Sequence, residues 1–234
     1  MRLYVLVEGQ TEEAFVKQVL RPHLREVDVP VTPIIVTTRR DRLTGRKHRG
    51  GGRWKQWFRD LRRLMMEQSG YGVRFTTLFD LYRLPDDFPR LEIHLSTADT
   101  LRRADDLEQE MGAALSDPRF IPYLQRHEFE ALVLASLDSM DTLLDAEDDL
   151  EGLESLRESL AGSNPEDIDD GEESAPSKRL ADHIPGYVKT LHGPLAVEAT
   201  GLPRIRAACP RFDRWLARLE TLAHENPAQC FKAP

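Results

Sequence analysis

The chain has 234 residues, with 40 acidic against 32 basic side chains and a formal charge of −8. Its length suits one generous domain or a domain with a smaller attachment, and no apolar run approaches the ~20 residues of a membrane span. Cys209 and Cys230 lie far from any ligand-like spacing, which argues against a disulfide scaffold and a zinc ribbon, and the first residues do not read as a signal peptide, so the expectation is a soluble cytoplasmic protein.

Leu3 to Val7 is a short apolar run that reads as a buried strand. Thr11 offers an N-cap, with Glu12 and Glu13 in the first turn, where the helix dipole favours acids. Phe15, Val16, Val19 and Leu20 give that helix its apolar stripe, and Pro22 predicts a kink or an end near Arg21. Val31 to Val36 is the second strand. Trp54, Trp57, Phe58 and Leu61 predict an amphipathic helix over about 54–67, and Val73 to Phe79 is the third strand. A further helix covers about 97–115, ended by Asp117-Pro118. Phe120 to Leu124 is a fourth strand candidate, and Phe129 to Leu137 reads as either strand or helix. The alternation predicts an α/β fold with a mostly parallel central sheet flanked by helices over residues 1–137. Residues 138–234 read as an acidic insert and a helical C-terminal part packed on that core, with a last helix near 212–223.

The charge is not evenly mixed. From Asp138 to Glu173 there are 15 acids and one base, Arg157, which reads mostly as a solvated surface helix or a flexible insert. Taking this −14 from the total of −8 leaves +6 for the rest. From Arg39 to Arg63 there are 11 Lys/Arg against Asp41 and Asp60, a local +9. Screening acts over ~8 Å at physiological salt, so local fields decide polyanion binding. An acidic total therefore does not exclude nucleic acid, and Arg49 and Lys55 are candidates to contact it.

Acids fall at strand ends. Glu8 follows the first strand and Asp80 follows the third. In an open α/β sheet, ligands gather at the carboxyl ends of parallel strands, so these two carboxylates are expected to meet despite their separation in sequence. Such a pair suits a hard divalent ion, which takes oxygen ligands and can polarise a phosphodiester and activate water. His127-Glu128-Phe129-Glu130 forms a third cluster. In an extended segment Glu128 and Glu130 share a face; in a helix they diverge and His127 pairs with Glu130. Ala131 stands where a zinc-protease motif needs its second His.

Glu8-Gly9-Gln10-Thr11-Glu12 after an N-terminal strand resembles the opening of a Toprim domain, the Rossmann-like fold of topoisomerases, primases and OLD-family nucleases. In that fold a Glu after the first strand and an Asp-x-Asp after the third hold Mg²⁺. Here the second motif reads Asp80-Leu81-Tyr82, with Tyr in place of the second Asp. An ordered set of pieces is more specific. It includes Val7 to Glu12, Thr76 to Tyr82, Phe120 to Tyr123, His127 to Leu132, Ala175 to Arg179, Pro185 to Lys189 and Cys209 to Phe212. By these the chain resembles, over nearly its full length, a bacterial Toprim-like family numbered 4276 among domains of unknown function.

The resemblance implies a metal-dependent nuclease subunit acting beside an SMC/ABC-like or AAA-type ATPase in antiviral defence, on DNA or RNA. A homo-oligomer is compatible with it. It implies Mg²⁺ or Mn²⁺ held by Glu8, Asp80, Glu128 and Glu130, with His127 orienting a carboxylate or water. Tyr82, Lys178, Arg179 and Lys189 are then candidates to meet phosphate. A non-catalytic Toprim scaffold that docks on the ATPase or binds nucleic acid is the alternative, motivated by Tyr82.

Overall fold

The computed structural model describes residues 1–40, 47–49, 52–82, 84–168, 171 and 174–225, with backbone alone for 37–40 and 47–49. The Arg49 side chain and Cys230 lie outside the described residues. In chain order the strands are β1 (Arg2–Val7), β2 (Val31–Ile35), β3 (Thr37–Arg40), β4 (Lys47–Arg49), β5 (Val73–Asp80), β6 (Phe120–Ile121) and β7 (Leu124–Gln125). The helices of the first half are α1 (Gln10–Phe15), α2 (Arg21–Glu26), α3 (Trp54–Glu67), α4 (Leu91–His94) and α5 (Thr100–Leu115). Those of the second half are α6 (Glu130–Leu134), α7 (Glu147–Leu160), α8 (Pro176–His183), α9 (Lys189–Thr200), α10 (Leu202–Ala208) and α11 (Pro210–Glu220).

The central sheet runs β2-β1-β5-β6, with β7 also on β5, and every pairing in it is parallel. The chain steps from β1 to one side for β2, then to the other side for β5. The strand order therefore reverses between β1 and β5, which makes their carboxyl ends a topological switch point. β3 and β4 form a separate antiparallel pair.

Alternate residues of β1 feed two cores, as the period of a strand buried on both faces requires. Leu3, Val5 and Val7 face α1, α2 and the C-terminal helices, whereas Tyr4 and Leu6 face α3 and α5. Trp57 of α3 lies 4.4 Å from Phe79, centroid to centroid, and Phe15 of α1 meets Phe129 at 5.4 Å and Phe212 at 6.0 Å. The first of these cores runs from Leu3 to Leu222, so the C-terminal helices and the sheet share one apolar layer. Each side chain buried in it contributes ~1.5–3 kcal/mol.

Four local expectations are corrected. The N-cap of α1 is Gly9, not Thr11; Glu12 reaches back to the Gly9 N–H, and Thr11 is buried inside the helix. Pro22 neither ends nor breaks its helix. A wide π turn over Val16–Leu20, closed by Arg21 N–H to the Val16 carbonyl, accommodates the ring before α2 continues. The fourth strand divides into β6 and β7 around Pro122, which has no N–H for the ladder. The acidic window is partly structural. Leu153 and Leu156 of α7 are buried, Asp149 accepts from Gly186 N–H at 2.8 Å, and Glu166 accepts from the N–H groups of Arg211 and Phe212 at 2.8 and 3.0 Å. A Cβ at Gly186 would stand 2.2 Å from the Asp149 carboxylate, which would have to turn away from it.

Candidate active site at the switch point

β1 and β5 deliver Glu8 and Asp80 to the switch point. The Glu8 carboxylate accepts from the Asp80 backbone N–H at 2.9 Å, and the Asp80 carboxylate accepts from the Phe129 N–H at 2.8 Å. The acids that the sequence placed at two strand ends are thus joined to each other and to the start of α6.

The His127–Glu130 segment resolves as neither simple alternative. His127 takes a left-handed backbone, φ 62°, and α6 begins at Glu130. A non-glycine residue in this region is uncommon and marks local strain. The turn is held by Tyr82 N–H, which donates to the His127 carbonyl at 2.9 Å. His127, Glu128 and Glu130 are all buried. Glu128 accepts from Ser177 N–H in the first turn of α8 at 2.9 Å, while Glu130 accepts from Lys189 Nζ at 2.8 Å. Glu12, the third residue of α1, accepts from Gly9 N–H at 2.9 Å.

Asp80 is the electrostatic centre of this group. Burial raises its pKa well above the usual carboxylate range; Lys189 opposes the rise, and Glu8, Glu12 and Glu130 add to it. Burial likewise raises Glu130 against the pull of Lys189. Burial alone would lower the Lys189 pKa, but Glu130, Asp80 and Glu12 reverse that effect and raise it. The Tyr187 hydroxyl is raised by burial, then by Glu130 and Glu128. Three carboxyl groups, Glu130, Asp80 and Glu12, therefore act on Lys189, while Glu8 acts on Asp80 and Glu128 on Glu130, so acids outnumber the cation.

Two buried polar atoms, Glu130 Oε1 and Tyr187 Oη, have no hydrogen-bond partner among the described residues. Buried polar groups are nearly always satisfied, so such atoms invite an explanation. Among the described residues no group of three or more His, Cys, Asp and Glu is arranged to hold a metal ion as it stands. Mg²⁺ commonly takes only one or two protein carboxylates and fills its shell with water and phosphate, so a smaller set can serve. Glu8, Asp80 and Glu130 are the side chains whose chemistry fits such an ion.

Other sequence candidates lie elsewhere. Lys178 is exposed on α8, and Arg179 donates to the Ser174 carbonyl at 2.8 Å; no described contact joins either to the acids. Lys55 is exposed on α3, against the other face of the sheet. Tyr82 is half-buried just past Asp80. Lys189 does reach the site, as a counter-ion to Glu130 rather than as a free cation. Sequence reasoning missed Glu12 and Tyr187 as members. The signal for Glu12 was its place three residues after Gly9, and Tyr187 stood inside the Pro185–Lys189 motif.

No helix among the described residues is long and apolar enough to cross a membrane. No curated protein and no solved structure matches the chain. A family model described as a domain of unknown function, DUF4276, matches residues 7–220, a span that holds every acid of the switch-point site, and the chain belongs to that family.

Proposed function

We propose that the protein is a Mg²⁺- or Mn²⁺-dependent phosphodiesterase of the Toprim kind that cuts DNA or RNA. The observation that carries this reading is the meeting of Glu8 and Asp80 at the reversal of strand order, inside a group of acids with surplus negative charge. The Toprim kinship, the SMC/ABC-like or AAA-type ATPase partner and the role in antiviral defence rest on the resemblance of the sequence motifs, and the cytoplasmic setting on the two isolated cysteines and the strand-like first residues.

Glu8 and Asp80 would hold the ion, with Glu130 and Glu128 behind them. Bound there, a divalent ion supplies Lewis acidity and a more acidic water. The chain's own contribution is positional. The Phe129 and Asp80 N–H groups fix the two carboxylates. Lys189, with 41% of its side chain exposed, can swing from Glu130 to an incoming phosphate and offset its charge.

The test is cleavage of labelled DNA and RNA by the chain together with its partner ATPase, across a divalent-metal titration. Glu8→Gln and Asp80→Asn should each lower the cleavage rate at least about 100-fold, the scale of losing one preorganised charged contact at a reacting centre. Cleavage that persists in a chelator, or in both variants, overturns the reading. A second reading, a non-catalytic scaffold, is favoured by Tyr82 at the position of the second motif acid. It expects nucleic-acid or ATPase binding that both variants retain and no metal-dependent cleavage at all.

A further inference from the structure

We propose that the cavity beside Tyr82 holds a nucleobase of the bound strand, next to the phosphate presented to Glu8 and Asp80. This rests on the nucleic-acid reading above and adds a base-binding subsite to it.

The cavity measures about 330 Å³, within the ~300–1,000 Å³ span of small-molecule sites. It begins at Leu81, the residue after Asp80. Leu84, Leu91 and Leu107 give it apolar walls, and Tyr82 is part of its lining. The charged residues of its lining are Asp86 and Arg103. This is the chemistry of a flat heterocycle with apolar faces and a polar edge. The ring and the leucines suit the faces, while an acceptor and a donor suit the edge.

The cavity is also fixed in position. Leu81 N–H donates to the Gln125 carbonyl and Tyr82 N–H to the His127 carbonyl, each at 2.9 Å, so this part of its lining is tied to the segment that carries Glu128 and Glu130. On the other side Asp86 is shared with a second cavity of about 510 Å³ that reaches Arg53. The neighbouring Asp87 accepts from Trp54 N–H at 2.8 Å and Lys55 N–H at 3.3 Å, anchoring the start of the basic helix α3 there. Leu81, Tyr82, Leu84 and Asp86 of the cavity lining and Asp87 at the start of α3 thus all come from the segment that follows Asp80. Leu95 at the cavity rim and nearby Ile93 are 60% and 50% exposed. Apolar surface of this kind is suited to be covered by a base.

The experiment is fluorescence anisotropy of the full chain with single-stranded hexanucleotides, deoxy and ribo, against an abasic hexamer of equal charge, all in EDTA. The base-bearing strands should bind about tenfold tighter or more, the scale of one base–aromatic stack. Tyr82→Leu should bring that ratio close to one. Leu95→Ala, at an exposed rim position that does not threaten folding, should reduce it about threefold. Equal binding of base-bearing and abasic strands by the unaltered chain, or a ratio unchanged in both variants, overturns the pocket alone. Binding of neither strand overturns the nucleic-acid reading with it. Neither readout depends on cleavage.

Discussion

Two groups of buried charges in this molecule use the same residue types and are wired in opposite ways. Around Arg211 the bonding is complete. Its side chain is 4% exposed and donates to Asp105, to Glu108 at 2.5 Å and to the Leu124 carbonyl at 3.3 Å, while its backbone N–H meets Glu166 at 2.8 Å. Glu108 also accepts from Leu124 N–H at 2.7 Å. Around Asp80 the same count fails: Glu130, Asp80 and Glu12 all act on Lys189, Glu8 adds to the charge at Asp80, and Glu130 Oε1 and Tyr187 Oη are left over. A buried charge must be compensated or the fold suffers. The Arg211 group therefore reads as architecture, clamping α11 to the sheet edge, and the Asp80 group as a place built for something to enter.

The largest effect should come from breaking the complete group. Arg211→Met removes the donor that largely buried Glu108 shares with part-exposed Asp105, and breaking a buried pair of the Arg211–Glu108 kind costs ~3–5 kcal/mol. In a chain of this size that lowers Tm by roughly 10 °C or more, readable by calorimetry. A loss below ~1 kcal/mol would erase the distinction between the two groups.

Lys189→Met should cost less, ~1–3 kcal/mol in EDTA, because Lys189 is itself part-exposed while its partner Glu130 is 0% exposed. The variant should then gain more Tm from added Mn²⁺ than the unaltered chain does, since an ion that binds only the folded state stabilises it. No difference in that gain would mean that Lys189 and the metal do not share the acids. Asp80→Asn should go the other way and stabilise, by ~0.5–2 kcal/mol at pH 7. Its folded pKa is raised, so the stability Asp80 provides is full below its ordinary pKa and is lost as pH rises through the raised value. Asn keeps the acceptor for Phe129 N–H without the charge. The gain in urea midpoint should fade towards acid pH, and it should accompany the loss of cleavage.

The part of this picture legible in the sequence is the local part. Trp54 to Glu67 folds as the helix its apolar spacing predicts, and β1 and β5 end where Glu8 and Asp80 said they would. The convergence of those two acids followed from parallel topology alone. The remainder depends on partners far along the chain. Asp149 finds Gly186 and Glu166 finds Arg211, 37 and 45 residues away, so both looked like members of a solvated acidic run. Lys189 looked like a phosphate cation because nothing local announced Glu130, 59 residues earlier. Glu12 was read through the helix dipole and as the end of the opening motif; its second role needed Asp80 and Lys189 beside it.

A pH-dependent comparison asks how complete the Arg211 group is. Burial raises the Glu108 pKa from 4.5 to about 7, although Arg211 and Leu124 N–H both pull it down and Asp105 adds a little to the rise. The sign follows from linkage: with the folded pKa above the unfolded one, the stability that Glu108 contributes is full below 4.5 and is lost as pH rises through about 7. Glu108→Gln keeps an acceptor for Leu124 N–H and Arg211 but cannot ionise. Urea unfolding at several pH values across that window should therefore fall less steeply in the variant than in the unaltered chain. The comparison between chains removes the similar trends of Asp80 and Glu130, which both retain. Equal slopes would mean that Arg211 keeps Glu108 ionised throughout. The clamp would then be a fully charged cluster, with its completeness resting on Coulomb attraction rather than on a proton held at Glu108.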